Sequence, residues 1–175
     1  MDETKAAPVD SPHPGIPELS IVVVAHRMDR EIPRTLRSFS AAYQRDMGGT
    51  RWEVLLVDNG SPRPLSAAEF APLGLDLVCL RPESPAPSPA AAANLGIEQA
   101  RGRWICVWID GARMASPGLL AAACEALRFS PRAVVGVRGR YLGPDVQSES
   151  MRHGYDQARE DELLARAGAW YGCAN

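Results

Sequence analysis

The sequence predicts an α/β fold with a mostly parallel central sheet and helices packed on both of its faces. Short apolar runs rich in β-branched residues alternate with helical patterns along the 175 residues, as in parallel strands that are buried on both faces. Polar residues directly follow three of these runs, where open α/β sheets place their ligands. A hydrophobic content of 46% is enough for one folded domain.

The chain begins with residues 1–17, which contain four prolines and predict a flexible leader. The first strand is predicted at 19–26, because this run has no polar alternation. A helix follows, with Pro33 acceptable only in its first turn. One apolar face of this helix is formed by Ile32, Leu36, Phe39 and Tyr43.

The later elements continue the alternation of strand and helix. Further strands are predicted at 52–57, 75–80, 103–110 and 133–143, and further helices at 64–74, 91–102, 116–130 and 155–170. Ser116 is the expected N-cap of its helix, with Pro117 at the first helical position. A proline-rich loop occupies 81–89.

Composition excludes several classes of protein. The net charge of −2 without a basic stripe argues against nucleic-acid binding, and no apolar run is long enough for a membrane span. The N-terminus lacks the apolar segment of a secretory signal. The four cysteines form no metal-binding spacing, so we expect core thiols in a reducing compartment and a cytoplasmic protein.

Three common catalytic or nucleotide-binding motifs are missing from the sequence. It has no phosphate-binding G-x-x-x-x-G-K-[ST] loop, no G-x-G-x-x-G after the first strand and no G-x-S-x-G nucleophile elbow. Acidic residues instead follow the second and fourth strands, as Asp58 and Asp110. Two carboxylates at that edge of a sheet are able to hold a ribose, a base N–H group or a divalent cation.

Four segments in order and spacing resemble family 2 glycosyltransferases of the GT-A fold. They are SIVVVAH at 20–26, WEVLLVDNGS at 52–61, AAAANLGIEQARGRWICVWIDG at 90–111 and SPGLLAAA at 116–123. The resemblance covers about residues 18–130. It implies a Rossmann-like three-layer α/β/α sandwich that binds a nucleotide-diphosphate sugar and transfers the sugar to an unknown acceptor.

The resemblance also implies roles for individual residues in the donor site. Asp58 matches the acid that accepts a hydrogen bond from the base N–H group, which favours uracil and therefore a UDP-like donor. Asp110 matches the first acid of a D-x-D motif, which contacts ribose or metal. The other matched donor-site residues are Ala25 and His26 beside the base, Asn59 and Gly60 in the turn after Asp58, and Asn94 and Gly96 along the pocket.

The D-x-D motif is degenerate, because Ala112 stands where the family has its second acid. Two carboxylates together with phosphate oxygens hold Mg²⁺ or Mn²⁺ in such sites. A divalent cation is therefore a doubtful cofactor, with Asp110 as its one candidate ligand. Arg113 offers a second way of binding phosphate, through its planar guanidinium group.

The catalytic base of inverting family members is an Asp or Glu in the second half of the fold, often in an E-D pair. The candidates here are Glu160 and Asp161. Because few residues follow Asp110, we expect residues 18–175 to be a donor-binding domain that is incomplete at its C-terminus.

Three functions stay open at the level of sequence. The first is an inverting glycosyltransferase, and the second is a related nucleotide-binding module without transferase activity. The third is another α/β nucleotide-binding domain such as a nucleotidyltransferase, which the glycine-free loop after the first strand disfavours.

Overall fold

The central sheet has four parallel strands in the described part of the chain. The computed structural model describes residues 15–109, 111–143 and 146–170. The strands are β1 (Leu19–Ala25), β2 (Trp52–Asp58), β3 (Leu77–Leu80) and β4 (Trp104–Ile109), in the spatial order β3-β2-β1-β4. All three neighbouring pairs are parallel, so the four carboxyl ends lie along one edge. The predicted parallel sheet is confirmed.

Helices connect the strands as the sequence predicts. They are α1 (Ile32–Ser38), a 3₁₀ helix (Ala67–Leu73), α2 (Ala90–Gln99), α3 (Leu119–Arg128), α4 (Gln147–Arg152) and α5 (Gln157–Trp170). Of these, only α4 has no counterpart among the sequence predictions. The segment predicted as a helix at 64–74 forms a 3₁₀ helix with Pro72 inside it, because proline lacks the N–H group that an α-helical interior needs.

The two central strands of the sheet, β1 and β2, are covered on both faces, which gives three layers. On the edge strands, one face is exposed, at Val78 of β3 and at Ile105, Val107 and Ile109 of β4. β1 is buried throughout and β2 is buried from Glu53 onwards, because successive side chains point to opposite faces and each face has its own apolar cluster. On one face, Ile21, Val23 and Leu56 pack with α1, α3 and the 3₁₀ helix. On the other face, Val22 and Val57 pack with α2. The predicted α/β/α sandwich is therefore confirmed.

Two helix boundaries differ from the sequence predictions. Pro33 lies in the first turn of α1, as predicted, but α1 ends at Ser38. The Ser38 hydroxyl donates to the Thr35 carbonyl at 2.6 Å, and such a local bond competes with continuation of a helix. The predicted N-cap at Ser116 is wrong, because α3 begins after Gly118, whose φ of 82° only glycine adopts readily.

A buried charge joins the amino-terminal ends of the strands. The Glu53 carboxylate on β2 accepts from the Ser20 hydroxyl at 2.6 Å and from both the backbone N–H and the guanidinium of Arg101. Gly102 donates its N–H to the same serine oxygen. Burial alone would raise the pKa of Glu53, but these hydrogen bonds outweigh burial and hold its pKa below 4.5.

The chain divides into two compact units, Met1–Ala133 and Val134–Asn175. Within the described part of the second unit, α4 and α5 are its regular elements. The predicted strand at 133–143 is wrong: these residues have no regular structure, and Val134 is 96% exposed. A strand needs a hydrogen-bonded neighbour, and no strand pairs with this segment among the described residues.

Most of the predicted leader, residues 1–14, lies outside the described residues. No helix among those described is both long and apolar enough to span a membrane.

Candidate functional site

The carboxyl edge of the sheet brings together predicted residues that are distant in sequence. The register of β1 and β2 places Ala25 beside Asp58, and the Asn59 N–H donates to the Ala25 carbonyl at 2.8 Å. The next residue, His26, hydrogen bonds through Nδ1 to the Asn59 carbonyl at 2.9 Å. Because a carbonyl oxygen only accepts, this Nδ1 carries the proton. The predicted grouping of Ala25, His26, Asp58 and Asn59 is therefore present.

Asp58 ends β2 with a carboxylate that is only 3% exposed. Its Oδ1 accepts from the Ser61 N–H at 2.8 Å, and its Oδ2 accepts from Arg81 at 2.6 Å and from the Leu65 N–H at 3.4 Å. A carboxylate has about four lone-pair positions, so these three donors leave about one position for a ligand.

Arg81 is a further candidate site residue, which the sequence pattern did not single out. It directly follows β3, and its guanidinium binds the Asp58 carboxylate and the Ser61 carbonyl, the latter at 2.9 Å. Its side chain is 39% exposed, whereas the side chain of Asp58 is 3% exposed. The guanidinium of Arg81 is therefore the more accessible partner of this pair. A signal for it existed, because it follows an apolar run just as Asp58 and Asp110 do.

The turn after Asp58 packs against the proline-rich segment 81–89. Gly60 has a φ of 87°, and a Cβ there would lie 2.6 Å from Cβ of Pro85. The Asn59 side-chain amide donates to the Ala86 carbonyl at 2.9 Å. Glycine is therefore required at this turn both for its backbone conformation and for the close approach of the proline.

The two predicted pocket residues of α2 lie in different surroundings. Gly96 is buried against the sheet, where an added Cβ would lie 2.3 Å from Val22 Cγ1 and 3.1 Å from Val57 Cγ2. Its small size lets α2 approach β1 and β2 closely. Asn94 is exposed on the same helix.

The backbone that follows β4 is held by buried polar side chains of the 35–44 region. Thr35 donates to the Gly111 carbonyl at 2.6 Å, and the Ser38 hydroxyl accepts from the Ala115 N–H at 2.9 Å. Gln44 donates to the Ser116 carbonyl at 3.1 Å and accepts from the Leu120 N–H at 3.3 Å. These bonds fix the described stretch 111–116.

The predicted acid Asp110 lies outside the described residues. Ala112 and Arg113 are both exposed, and the Arg113 carbonyl accepts from the indole N–H of Trp108 at 3.0 Å. The side chain of Ala112 has no donor atom for a metal, and the described residues contain no group of three His, Cys, Asp or Glu side chains placed for one.

The predicted catalytic bases lie on α5 of the second unit. Glu160 is half-buried and Asp161 is exposed. Glu162 on the same helix forms ion pairs with Arg159 and, at 4.0 Å, with Arg166.

Three of the cysteines are free thiols within the described chain. Burial raises the pKa of Cys79 and of Cys106 to about 11, and the charges of Glu69 and Asp58 contribute for Cys79. Burial also raises the pKa of Cys124. Protonated thiols of this kind are poor nucleophiles, which agrees with the predicted packing role. The fourth, Cys173, lies outside the described residues.

Comparisons with known proteins give one family and one fold. Residues 20–169 match the family described as Glycosyl transferase family 2. Solved structures similar to the chain include S. aureus TarS 1–349, the same fragment in complex with UDP, and S. aureus TarS, each with a TM-score of 0.55 and 23% identity over 64% of this chain. This likeness confirms the GT-A-type fold.

The chain spans much less than the full length of those structures. The alignment covers 32% of each TarS fragment and 20% of the longer TarS chain. No curated protein matches the chain.

Proposed function

Because the chain belongs to glycosyl transferase family 2, we propose that it binds a uridine-diphosphate sugar at the carboxyl edge of its sheet and transfers the sugar to an acceptor hydroxyl. The observation that carries this proposal is the pairing of Asp58 with Arg81 at 2.6 Å, at the ends of neighbouring strands. The complex of a similar fold with UDP supports the choice of nucleotide.

The Asp58–Arg81 pair is complementary to a uracil ring. Uracil presents one N–H donor between two carbonyl acceptors, so it needs one acceptor and neighbouring donors from the protein. Asp58 keeps about one lone-pair position for the N–H group, and the exposed guanidinium of Arg81 donates to a carbonyl. Ala25 and His26 then border the base, as the resemblance implies.

Recognition of the diphosphate is assigned to Arg113, whose guanidinium is able to bind two phosphate oxygens at once. Asp110 is proposed to contact ribose or metal, as the family resemblance implies. A bound divalent cation would neutralise the leaving diphosphate, but Ala112 removes one of the two acids that hold it. We therefore expect UDP binding by this chain to depend weakly on Mg²⁺ or Mn²⁺.

Transfer is proposed as a direct displacement with inversion. The acceptor hydroxyl oxygen forms a bond to the anomeric carbon while the bond from that carbon to the diphosphate oxygen breaks. The hydroxyl proton passes to a carboxylate of Glu160 or Asp161, and UDP leaves with the bonding electrons.

The free, protonated thiols fit a reducing compartment such as the cytoplasm.

Calorimetric titration with UDP, GDP, UMP and uridine tests donor binding. Wild-type protein should prefer UDP to GDP, and Arg81→Gln should weaken UDP binding about tenfold or more, because charged hydrogen bonds are the stronger ones. Arg113→Ala should weaken binding of UDP while leaving uridine unchanged. Equal affinity for UDP and GDP, or unchanged UDP affinity in Arg81→Gln, would reject the assigned base site.

A nucleotide-binding module without transferase activity is the second candidate, and Ala112 is the observation that favours it. Turnover separates the two candidates. Release of UDP from UDP-sugars in the presence of candidate acceptors supports transfer, and loss of that release in a Glu160→Gln, Asp161→Asn double variant supports the proposed base. Tight UDP binding without release under any acceptor supports the module.

A further inference from the structure

The proline-rich segment 81–89 contacts the turn at residues 58–61 at two separate places. We call this turn the nucleotide turn. At its start, Arg81 binds the Asp58 carboxylate and the Ser61 carbonyl. Near its middle, Ala86 accepts from the Asn59 amide, and Pro85 lies against Gly60. The segment has no helix or strand of its own, so these contacts define its path over the turn.

The Asn59 contact depends on an amide rather than an acid. The Asn59 amide nitrogen donates to the Ala86 carbonyl at 2.9 Å. An ionised aspartate has no proton to donate, so it would place negative charge against that carbonyl oxygen.

The other end of the same amide is unsatisfied. Asn59 is only 7% exposed, and its Oδ1 is buried without a hydrogen-bond partner among the described residues. A buried, unpaired acceptor is costly. Among the described residues, the bond to the Ala86 carbonyl is therefore the hydrogen bond that holds this side chain in place.

We infer that Asn59 is a positioning residue: its amide holds segment 81–89 on the nucleotide turn and so presents Arg81 to the base. The inference rests on the proposed binding of UDP at Arg81. With the segment fixed before binding, the nucleotide does not have to order it, and a preorganised site binds more tightly than a mobile one.

The test is the variant Asn59→Asp, measured at about pH 7.5 and about pH 5. At the higher pH the new carboxylate is ionised, so amide hydrogen exchange in 81–89 should be faster than in wild type, and UDP should bind about tenfold more weakly. At the lower pH, burial favours the protonated acid, which donates to Ala86. Both differences from wild type should then shrink.

Two comparisons isolate the effect. Gln99→Glu changes the charge by the same amount on an exposed part of α2 and should behave like wild type at both pH values. The charged and titratable groups near position 59 are Asp58, Arg81 and His26. They are present in all three proteins, and each variant is compared with wild type at the same pH. Glu53, whose pKa is lowered by its hydrogen bonds despite burial, is also present in all three proteins.

The outcomes distinguish a failure of the contact between Asn59 and segment 81–89, which we call the tether, from a failure of the proposed function. Exchange in 81–89 is measured without nucleotide, so unchanged exchange in Asn59→Asp overturns the tether whatever the protein binds. Failure of wild type to bind UDP overturns the proposed function instead. Faster exchange with unchanged UDP affinity rejects the positioning role. If Asn59→Asp does not fold, Asn59→Ala removes the donor without adding charge and should show the faster exchange and weaker binding at both pH values.

Discussion

Arg81 gains its candidate role from residues that lie far away in the sequence. Asp58 is 23 residues before it, yet the two side chains meet at 2.6 Å because β2 and β3 are neighbours and both end there. The same geometry reduces the space left on Asp58 for a ligand. For a single residue, the contacts of the side chain therefore depend on which strand ends lie next to each other.

Ala112 gives a prediction at the scale of one residue. Ala112→Asp restores the second acid of the D-x-D motif at an exposed position. We expect UDP affinity of this variant to rise about tenfold when Mn²⁺ replaces a chelator, because two carboxylates hold the ion with the diphosphate. Wild type should change little in the same calorimetric comparison.

Ala122→Asp is the matched control, since it adds the same charge at an exposed position of α3. It should show the wild-type response to Mn²⁺. A wild-type protein that binds UDP only with Mn²⁺ would contradict the expected weak metal dependence.

At the scale of elements, α1 holds the stretch that follows β4. Thr35 of α1 is completely buried, and its hydroxyl donates to the Gly111 carbonyl. Gly111 itself leaves no room for a side chain, because a Cβ would lie 2.5 Å from Ile32 Cδ1. The segment that carries Ala112 and Arg113 is therefore fastened to a helix from the first third of the chain.

Thr35→Val removes the hydroxyl but keeps the shape of the side chain. It leaves a buried carbonyl without its partner, which should cost about 1–3 kcal/mol of unfolding free energy. Chemical denaturation measures this loss, and UDP binding should weaken in proportion to any loosening of 111–116. Thr35→Ser keeps the hydroxyl and should recover most of the stability. Equal loss in both variants would mean that packing, and not the hydrogen bond, is what matters.

At the scale of the whole molecule, Glu53 makes stability depend on pH. Its pKa in the folded protein is held below 4.5 by Ser20 and Arg101 despite burial. The unfolded chain therefore takes up this proton at a higher pH than the folded chain. The stability that Glu53 contributes should be complete above the pKa of this group in the unfolded chain and should decline as the pH falls through its lower pKa in the folded chain.

Thermal unfolding of wild type and Glu53→Gln between about pH 7 and pH 3 checks this dependence. We expect Glu53→Gln to melt at a lower temperature at neutral pH, because Arg101 loses one of its two ionic partners, the buried one, and keeps only the exposed Asp76. The two melting curves should converge on acidification. A constant difference across the range would contradict the assigned role of the carboxylate.

The sequence by itself determined the layered α/β architecture. Unbroken β-branched runs such as Ile21–Val24 are apolar on both faces of a strand, so they predict strands that are covered on both faces. Polar residues at the ends of those runs also indicated the edge that carries the site, including Asp58 and its neighbours. These signals are local. The structure confirms the parallel sheet, and the site at its edge stays a prediction.

Only the tertiary structure decided which local patterns found a partner. The apolar run at 133–143 resembles the other strands in composition, yet it forms no strand. A strand needs a neighbouring strand to hydrogen bond with, and the composition of a segment does not show whether the fold supplies one. Arg81 and the donor end of Asn59 became candidate site residues for the same reason. Their contacts join the ends of different elements, and the spatial order β3-β2-β1-β4 brings those ends together.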